Sequence, residues 1–221
     1  MAVTVLDVIK ETKDEVEIGD FSPVRLVEYI NRGMLVVASG NFRQWQEVGE
    51  IFLRDLETVG TVAAVGSANN VSLPTDFNKG LVDCYSNTNE RIIAITESLA
   101  QLGTIYPGLD YSRAISHVAV SGSTLYYQGK ATETLAITYF KNPTTLTLTS
   151  SISELPDNHI VPILKNYILT QLPQRYRKKL EYNPQETLRQ AVGDLWGAIG
   201  PYAERLVQIN DAMGIYDDYI W

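Results

Sequence analysis

The chain changes its periodicity at Thr58-Val59-Gly60-Thr61-Val62-Ala63-Ala64-Val65, and this stretch decides the fold class. Its β-branched and small residues are typical of a strand. Before it, residues 1–56 carry apolar side chains at helical spacing. After it, short apolar segments alternate with connections rich in Gly, Asn and Ser as far as about residue 150. The sequence therefore predicts an α+β fold, in which helices precede and follow a β region.

The β region is expected to span residues 57–150. Many short strands with turn signals between them favour an antiparallel sandwich or barrel over a βαβ array. The threonine-rich stretch Thr132 to Ser150 favours a half-exposed sheet edge. Further strands are predicted at Leu81 to Tyr85, Arg91 to Thr96, Ile115 to Val120, Leu125 to Tyr127 and Leu135 to Phe140.

Helical patterns fill both ends of the chain. Helices are predicted from Thr4 to Asp14 and from Ser22-Pro23 to Gly40, because serine can accept backbone N–H bonds and proline tolerates the first helical position. In the last third, Asn183-Pro184-Gln185-Glu186 has the form of a capping box that opens a long helix, with a kink expected at Gly200-Pro201. Neither end can bury its apolar face alone. We expect residues 1–56 and 151–221 to form one helical bundle, with residues 57–150 inserted as a β domain.

Composition excludes several functions. The 221 residues are 45% hydrophobic and carry a net charge of −8, spread as −4 in residues 1–56, −2 in 57–150 and −2 in 151–221. Coating nucleic acid requires clustered positive charge, so that role is not expected. The single cysteine, Cys84, allows no intrachain disulfide and fits a reducing compartment. We also expect no secretory signal, because residues 1–10 have no basic n-region and carry an early Asp7. No membrane partner is expected, because the most apolar run, Met34 to Ala38, is far shorter than a spanning helix.

Residues with catalytic or metal-binding chemistry are few and scattered. His117 and His159 fall in different predicted regions, away from Cys84, so no zinc-ligand spacing exists. The sequence contains no nucleophile elbow, phosphate-binding loop or dinucleotide fingerprint. Asp157 near His159 admits an acid–base pair, but Asp157 or Asn158 as a helix cap is the favoured interpretation. We therefore predict a protein with no enzymatic activity, cofactor or metal.

Two segments are candidates for contact with a partner. A basic cluster, Arg175, Arg177, Lys178 and Lys179, forms either a solvated helix face or an electrostatic contact patch. Tyrosines are enriched at interfaces, and Tyr126-Tyr127 is either such a contact or a strand with one ring buried. The final segment concentrates aromatic residues, so docking on a partner and docking within the chain are both open. It comprises Ile215, Tyr216, Asp217, Asp218, Tyr219, Ile220 and Trp221.

The order of four short motifs resembles that of a known family. Helices lead to Val71-Ser72-Leu73-Pro74-Thr75-Asp76-Phe77 and then to the strand Arg91 to Thr96. Leu135-Ala136-Ile137-Thr138-Tyr139-Phe140-Lys141-Asn142-Pro143 follows, and Leu155-Pro156-Asp157 opens a helix. This order resembles the head-to-tail adaptor (connector) proteins of tailed bacteriophages.

The resemblance implies a non-enzymatic virion protein of the phage neck, assembled in the host cytoplasm. Such adaptors form a ring, typically of twelve copies, between the portal and the tail or nozzle protein, and DNA passes through it during ejection without specific binding. The implied portal-docking segment is Ile215 to Trp221. We place the contact between ring subunits on the helix from Leu188 to Leu206, and we expect an acidic lumen that repels DNA.

Two alternatives remain. One is another neck, stopper or tail-tube protein of the same particles, which binds a different partner. The other is a carbohydrate-binding or hydrolytic β domain flanked by helices, which requires a pocket of converging carboxylates.

Overall fold

The computed structural model describes residues 2–18, 21–40, 51–66, 68–109, 114–129, 132–178 and 180–215, with side chains described as far as residue 199. These residues divide into two compact units. The helical unit comprises the described residues within 1–56 and 142–203, and the β unit comprises those within 57–141 and 204–215. The α+β class predicted from the sequence is confirmed. Residues 142–150, grouped with the β domain in the sequence analysis, lie in the helical unit.

The described chain contains six α-helices. They are α1 (Val5–Glu15), α2 (Pro23–Ser39), α3 (Leu99–Ile105), α4 (Asp157–Gln171), α5 (Gln174–Arg177) and α6 (Pro184–Ile215). It also contains eight strands: β1 (Glu57–Ala64), β2 (Asn70–Ser72), β3 (Phe77–Ser86), β4 (Arg91–Ile92), β5 (Ala94–Ile95), β6 (His117–Ser121), β7 (Thr124–Tyr127) and β8 (Glu133–Lys141).

The first two helices begin and end where local sequence dictates. Thr4 caps α1: its hydroxyl accepts the Asp7 N–H at 3.2 Å, and Asp7 accepts the Thr4 N–H at 2.8 Å. Pro23 opens α2, although Ser22 makes no side-chain cap bond. Gly40 ends α2 in the left-handed conformation (φ 62°), which glycine adopts without steric cost. The predicted bounds of both helices are confirmed to within one residue.

Helices α1, α2 and α4 pack on one another around an aliphatic core. Their fully buried side chains recur at three- and four-residue spacing, as a helix with one buried face requires. At the edge of this packing, the ammonium of Lys165 on α4 lies 3.1 Å from the Glu15 carboxylate of α1. The buried positions are Val5, Val8 and Ile9 in α1, Leu26, Ile30, Met34 and Val37 in α2, and Ile160, Ile163, Leu164, Ile168 and Leu169 in α4.

The β unit is a sandwich of two four-stranded sheets. One has the strand order β1-β8-β3-β4 and the other β2-β7-β6-β5. All pairs are antiparallel except β5 with β6, which is parallel. The inward side chains of both sheets form one core that includes Val62, Leu81, Ile137, Val118 and Leu125. The predicted antiparallel architecture is confirmed in its sandwich form.

The structure corrects two expectations about strands. The predicted strand Arg91 to Thr96 is two strands in different sheets: the N–H of Ile93 bonds to Cys84 of β3, and that of Ala94 bonds to Ser116 next to β6. The threonine-rich β8 is not an edge, because it lies between β1 and β3. Its alternation of buried and exposed residues reflects one face on the core and one face outside.

Three expectations about helices are also wrong or incomplete. Helix α3 was not predicted; it packs against β6, with Leu102 fully buried. Neither Asp157 nor Asn158 caps α4, because Pro156 occupies the cap position and no side chain bonds there. The last helix continues to Ile215, past the Asn210 at which the helical pattern weakens. Among the described helices, none combines the length and apolar character that crossing a bilayer requires.

Candidate functional site

The predicted docking segment begins at the end of α6. Ile215 is the last helical residue of this 32-residue helix, and residues 216–221 lie outside the described residues. Asn183 caps the other end, since its side-chain oxygen accepts the Gln185 N–H at 3.1 Å. The residues of α6 from 204 on are grouped with the β unit, and not with the helical domain predicted for residues 151–221.

The apolar face of α6 is already used within the subunit. Leu188, Ala191, Val192 and Leu195 are buried, at the spacing of a single helical face. Residues 189, 190, 194, 197 and 198 are exposed on the other side. As far as residue 199, the part of this helix that is open to a contact with another copy is therefore its exposed face. A Cβ added at Gly197 would meet nothing within 4 Å.

The basic cluster lies on and after the short helix α5. The Arg175 guanidinium donates to the Tyr176 hydroxyl at 2.7 Å and lies 4.6 Å from the centre of that ring. Tyr176 in turn meets Phe21 edge-on, with ring centres 5.9 Å apart. Arg177 is half-buried, whereas Lys178 is exposed; Lys179 lies outside the described residues. The Arg175 side chain is therefore bonded to its neighbour Tyr176, whereas Lys178 is exposed to solvent.

The motifs that carry the family resemblance meet inside the β unit. Tyr139 of β8 donates its hydroxyl hydrogen to Asp76 at 2.6 Å, and its ring centre lies 5.5 Å from that of Phe77. Gly60 of β1 lies beneath the same ring, where a Cβ would come 2.9 Å from the ring carbon Cε1 and 3.3 Å from Pro74. Burial, reinforced by the Asp76 carboxylate, raises the pKa of Tyr139 to about 12. These motif residues are therefore structural: they fix the turn before β3 onto the sheet.

The residues with potential catalytic chemistry have structural partners. Nδ1 of His117 lies 2.9 Å from the Tyr106 hydroxyl and 2.9 Å from Ser116 Oγ. Cys84 is buried in the sandwich core, and this burial raises its thiol pKa to about 12, so the thiolate needed for nucleophilic chemistry is suppressed. Within the described ranges, no three of the metal-ligating side chains come together.

The structure also contains a buried carboxylate that the sequence analysis did not identify. Glu133 is 2% exposed. Its oxygens accept the Ser86 hydroxyl at 2.6 Å and the Ile115 N–H at 2.8 Å. Arg91 donates to the carbonyl of Ile115, on the other side of the same residue. Glu133 therefore links β8 and β3 to the segment that leads into β6. No local sequence pattern predicts these contacts.

A groove in the helical unit is the second feature missed from the sequence. It has a volume of about 390 Å³ and lies between α2 and the segment that follows β8. Asn31 joins the two walls: its amide donates to the carbonyl of Leu146 at 3.0 Å and accepts the Leu146 N–H at 2.7 Å. The lining residues are Asn31, Arg32, Leu35, Asn142, Pro143, Thr144 and Thr145.

The structure of Tyr126-Tyr127 agrees with the prediction of a strand that has one ring buried. Tyr127 is fully buried, and its hydroxyl accepts the Val65 N–H at 3.0 Å and lies 3.1 Å from the Val65 carbonyl. Tyr126 is half-buried. One ring therefore belongs to the core, as expected for adjacent strand residues.

Comparison with known proteins gives one result. The family model described as SU10 adaptor protein matches residues 3–198, which include the first helical segment, the whole β region and the second helical segment as far as residue 198. No curated protein matches the chain.

Proposed function

Since this chain belongs to the SU10 adaptor protein family, it is a tailed-bacteriophage adaptor and a virion component, and we propose that it forms a ring between the portal and the tail. The match over residues 3–198 carries this proposal. In the proposed role the protein acts without catalysis or cofactor, in the neck of a particle assembled in the host cytoplasm. Its partners are the portal, further copies of itself and a tail or nozzle protein.

The portal contact is assigned to residues 215–221. Five of these seven residues are aromatic or isoleucine, and buried aromatic side chains dominate the energetics of most interfaces. Helix α6 leads to this segment without a break in its described part.

The ring contact requires two different surfaces on each subunit, because a closed ring is built head to tail. We assign one of them to the exposed face of α6, at Gln190, Asp194 and Gly197. The basic cluster at Arg177, Lys178 and Lys179 supplies the electrostatic contact, since it opposes the net negative charge of the next copy.

Electrostatics explains how DNA passes without being held. A net charge of −8 on each subunit gives a ring a large negative charge. Repulsion of phosphates is screened beyond about 8 Å at physiological salt, so it acts only near the wall. The lumen is therefore expected to be richer in Asp and Glu than the outer surface.

Electron microscopy of the protein mixed with purified portal tests the proposal. The expected result is a ring of adaptor density on the portal's tail-facing end. The variant lacking residues 215–221 is expected to lose portal binding by at least about tenfold while it stays folded by circular dichroism. The matched control is Asp217→Asn with Asp218→Asn, which keeps the aromatic residues and is expected to bind within about threefold of the full chain.

The same experiment contains the contrary outcomes. Unchanged portal binding by the shortened chain would refute the docking assignment. Binding to tail components but not to the portal would identify a different neck or tail-tube role. A basic lumen in an assembled ring would contradict the electrostatic explanation.

A further inference from the structure

We propose that the groove between α2 and residues 142–145 is a docking site for an acidic peptide segment of a partner protein. This inference goes beyond the ring and portal contacts proposed above, and it uses none of the residues assigned to them. The partner segment is defined by its chemistry: a carboxylate side chain beside an aliphatic one.

The walls of the groove are fixed before any partner arrives. The two hydrogen bonds between Asn31 and Leu146 hold α2 and the 142–146 segment together. The Glu154 carboxylate accepts the N–H of Thr144 at 2.9 Å and so restrains the same segment from its other side. A prepared groove loses little conformational entropy when a peptide binds. Its volume of about 390 Å³ is also enough for two or three peptide side chains.

The chemistry of the lining favours a carboxylate next to an apolar group. Arg32 is exposed on the groove and forms no ion pair with any described residue. Its guanidinium lies near Tyr167 of α4, where its charge opposes the upward pKa shift that burial gives that phenol. Leu35 is 49% exposed in the same groove, beside Pro143. A single cation next to apolar surface fits one acidic side chain and one aliphatic neighbour.

Side chains, and not a strand edge, define the recognition. Residues 142–145 continue from β8 without joining a strand or helix. Pro143 has no N–H, and the Thr144 N–H already donates to Glu154. A partner peptide therefore has no row of backbone donors to pair with here, and it is recognised by Arg32 and Leu35.

DNA is the less favoured occupant. Phosphate backbones bind through several clustered cations, whereas the groove presents only Arg32 among its lining residues. One cation neutralises one carboxylate but leaves the neighbouring phosphates of a polyanion unpaired.

Titration of the full chain with short peptides, followed by nuclear magnetic resonance, tests the proposal. The probe is acetyl-Ala-Asp-Leu-Asp-Ala-amide, and its control is the same peptide with asparagine at both acidic positions. We expect the acidic peptide to shift the backbone signals of the 142–146 segment, with an affinity in the millimolar range or tighter. The asparagine peptide is expected to bind at least about fivefold more weakly.

Variants on one helix separate the groove from general charge effects. Arg32→Glu is expected to weaken binding of the acidic peptide at least about tenfold, and Leu35→Ser about threefold. Their controls lie on the same helix outside the groove: Arg25→Glu and Val24→Ser, both at exposed positions, are expected to change binding by less than about twofold.

Four outcomes would overturn the proposal. Two concern the peptides: the acidic peptide causes no shift, or it binds no more tightly than the asparagine peptide. The other two are that Arg32→Glu binds the acidic peptide as well as the parent chain does, or that a double-stranded oligonucleotide binds more tightly than the acidic peptide and depends on Arg32. A fifth, tighter binding of the Ile215–Trp221 heptapeptide, would replace the partner with a second copy of this chain. None of them depends on portal binding, so this inference and the proposed function can fail separately.

Discussion

The hydrogen bonds of buried polar side chains follow different patterns in the two units. In the helical unit, Thr12 donates to the carbonyl of Val8 and Asn166 donates to that of Pro162, each at 2.7 Å and four residues back. In the β unit, the buried side chains of Ser86, Thr96, Gln128 and Glu133 each make a bond to a residue that is distant in sequence. Ser86 and Glu133, for example, are 47 residues apart. Burying a polar group costs free energy unless the group is hydrogen-bonded. In the β unit, this cost is offset only when the fold has brought the distant partners together.

The difference has a consequence for stability. A bond within one helix survives most changes in the surrounding packing, because both partners belong to the same element. The Ser86–Glu133 bond forms only when β3 and β8 pair, and the Glu133–Ile115 bond forms only when the two sheets pack together. We therefore expect mutations of buried polar residues to be severe in the β unit and mild in the helical unit.

The largest effect is expected at Glu133. Replacing it with alanine leaves the Ser86 hydroxyl and the Ile115 N–H without their acceptor inside the sandwich, at a cost of about 3 kcal/mol in the free energy of unfolding. The paired variant in the helical unit is Thr12→Val. The Thr12 hydroxyl donates to a carbonyl that also accepts a helical bond, so we expect the free energy of unfolding to fall by about 1 kcal/mol or less. Urea unfolding, with hydrogen exchange to assign each loss to its unit, measures both. Equal losses would break the comparison.

A smaller contrast is expected between two closely packed glycines. Gly60→Ala brings a Cβ within 2.9 Å of the Tyr139 ring, which Asp76 holds in place, and we expect a loss of about 2 kcal/mol. Gly33 on α2 is also crowded, at 3.0 Å from Tyr167, but alanine in a helix gains about 1 kcal/mol over glycine. Gly33→Ala is therefore expected to be nearly neutral in the same unfolding assay.

Gly103 provides the control for this pair. It lies in α3, and an added Cβ would meet nothing within 4 Å. Gly103→Ala is expected to raise stability by up to about 1 kcal/mol. If Gly60→Ala behaves like Gly103→Ala, the Tyr139 ring is not held as tightly as its bond to Asp76 implies.

The bounds of an element could be predicted where the residues that start or end it lie within it or directly beside it. The bounds of α1 and α2 follow from Thr4, Pro23 and Gly40, and Asn183 marks the start of α6. Strand positions followed from alternation, although alternation does not say which sheet receives a strand. The division of the Arg91 to Thr96 stretch between two sheets is therefore invisible in sequence, because both halves have the same pattern.

Helix α3 was missed although a local signal exists. Ser98 accepts the Gln101 N–H at 3.1 Å, and Gln101 accepts the Glu97 N–H at 2.9 Å, so a short capping pattern precedes the helix. Seven residues are too few for a periodic apolar face to stand out among strands. The groove and the Glu133 contacts were missed for a different reason: both depend on residues brought together by the fold. The predicted site at residues 216–221 stays a prediction.

The smallest effect is expected at the cap of α1, and it sharpens the comparison because the contact is local. Thr4→Ala removes the hydroxyl that caps the helix, at a cost of about 1 kcal/mol at neutral pH, confined to the helical unit. The bonds from Thr4 lower the pKa of Asp7 below its ordinary value of 3.8. Asp7 therefore stabilises the fold above that pH, and this stabilisation is lost as the pH falls through the folded-state value. We expect the gap between Thr4→Ala and the parent chain to narrow on acidification, measured by unfolding at a series of pH values; a constant gap would mean that the cap acts without the Asp7 charge.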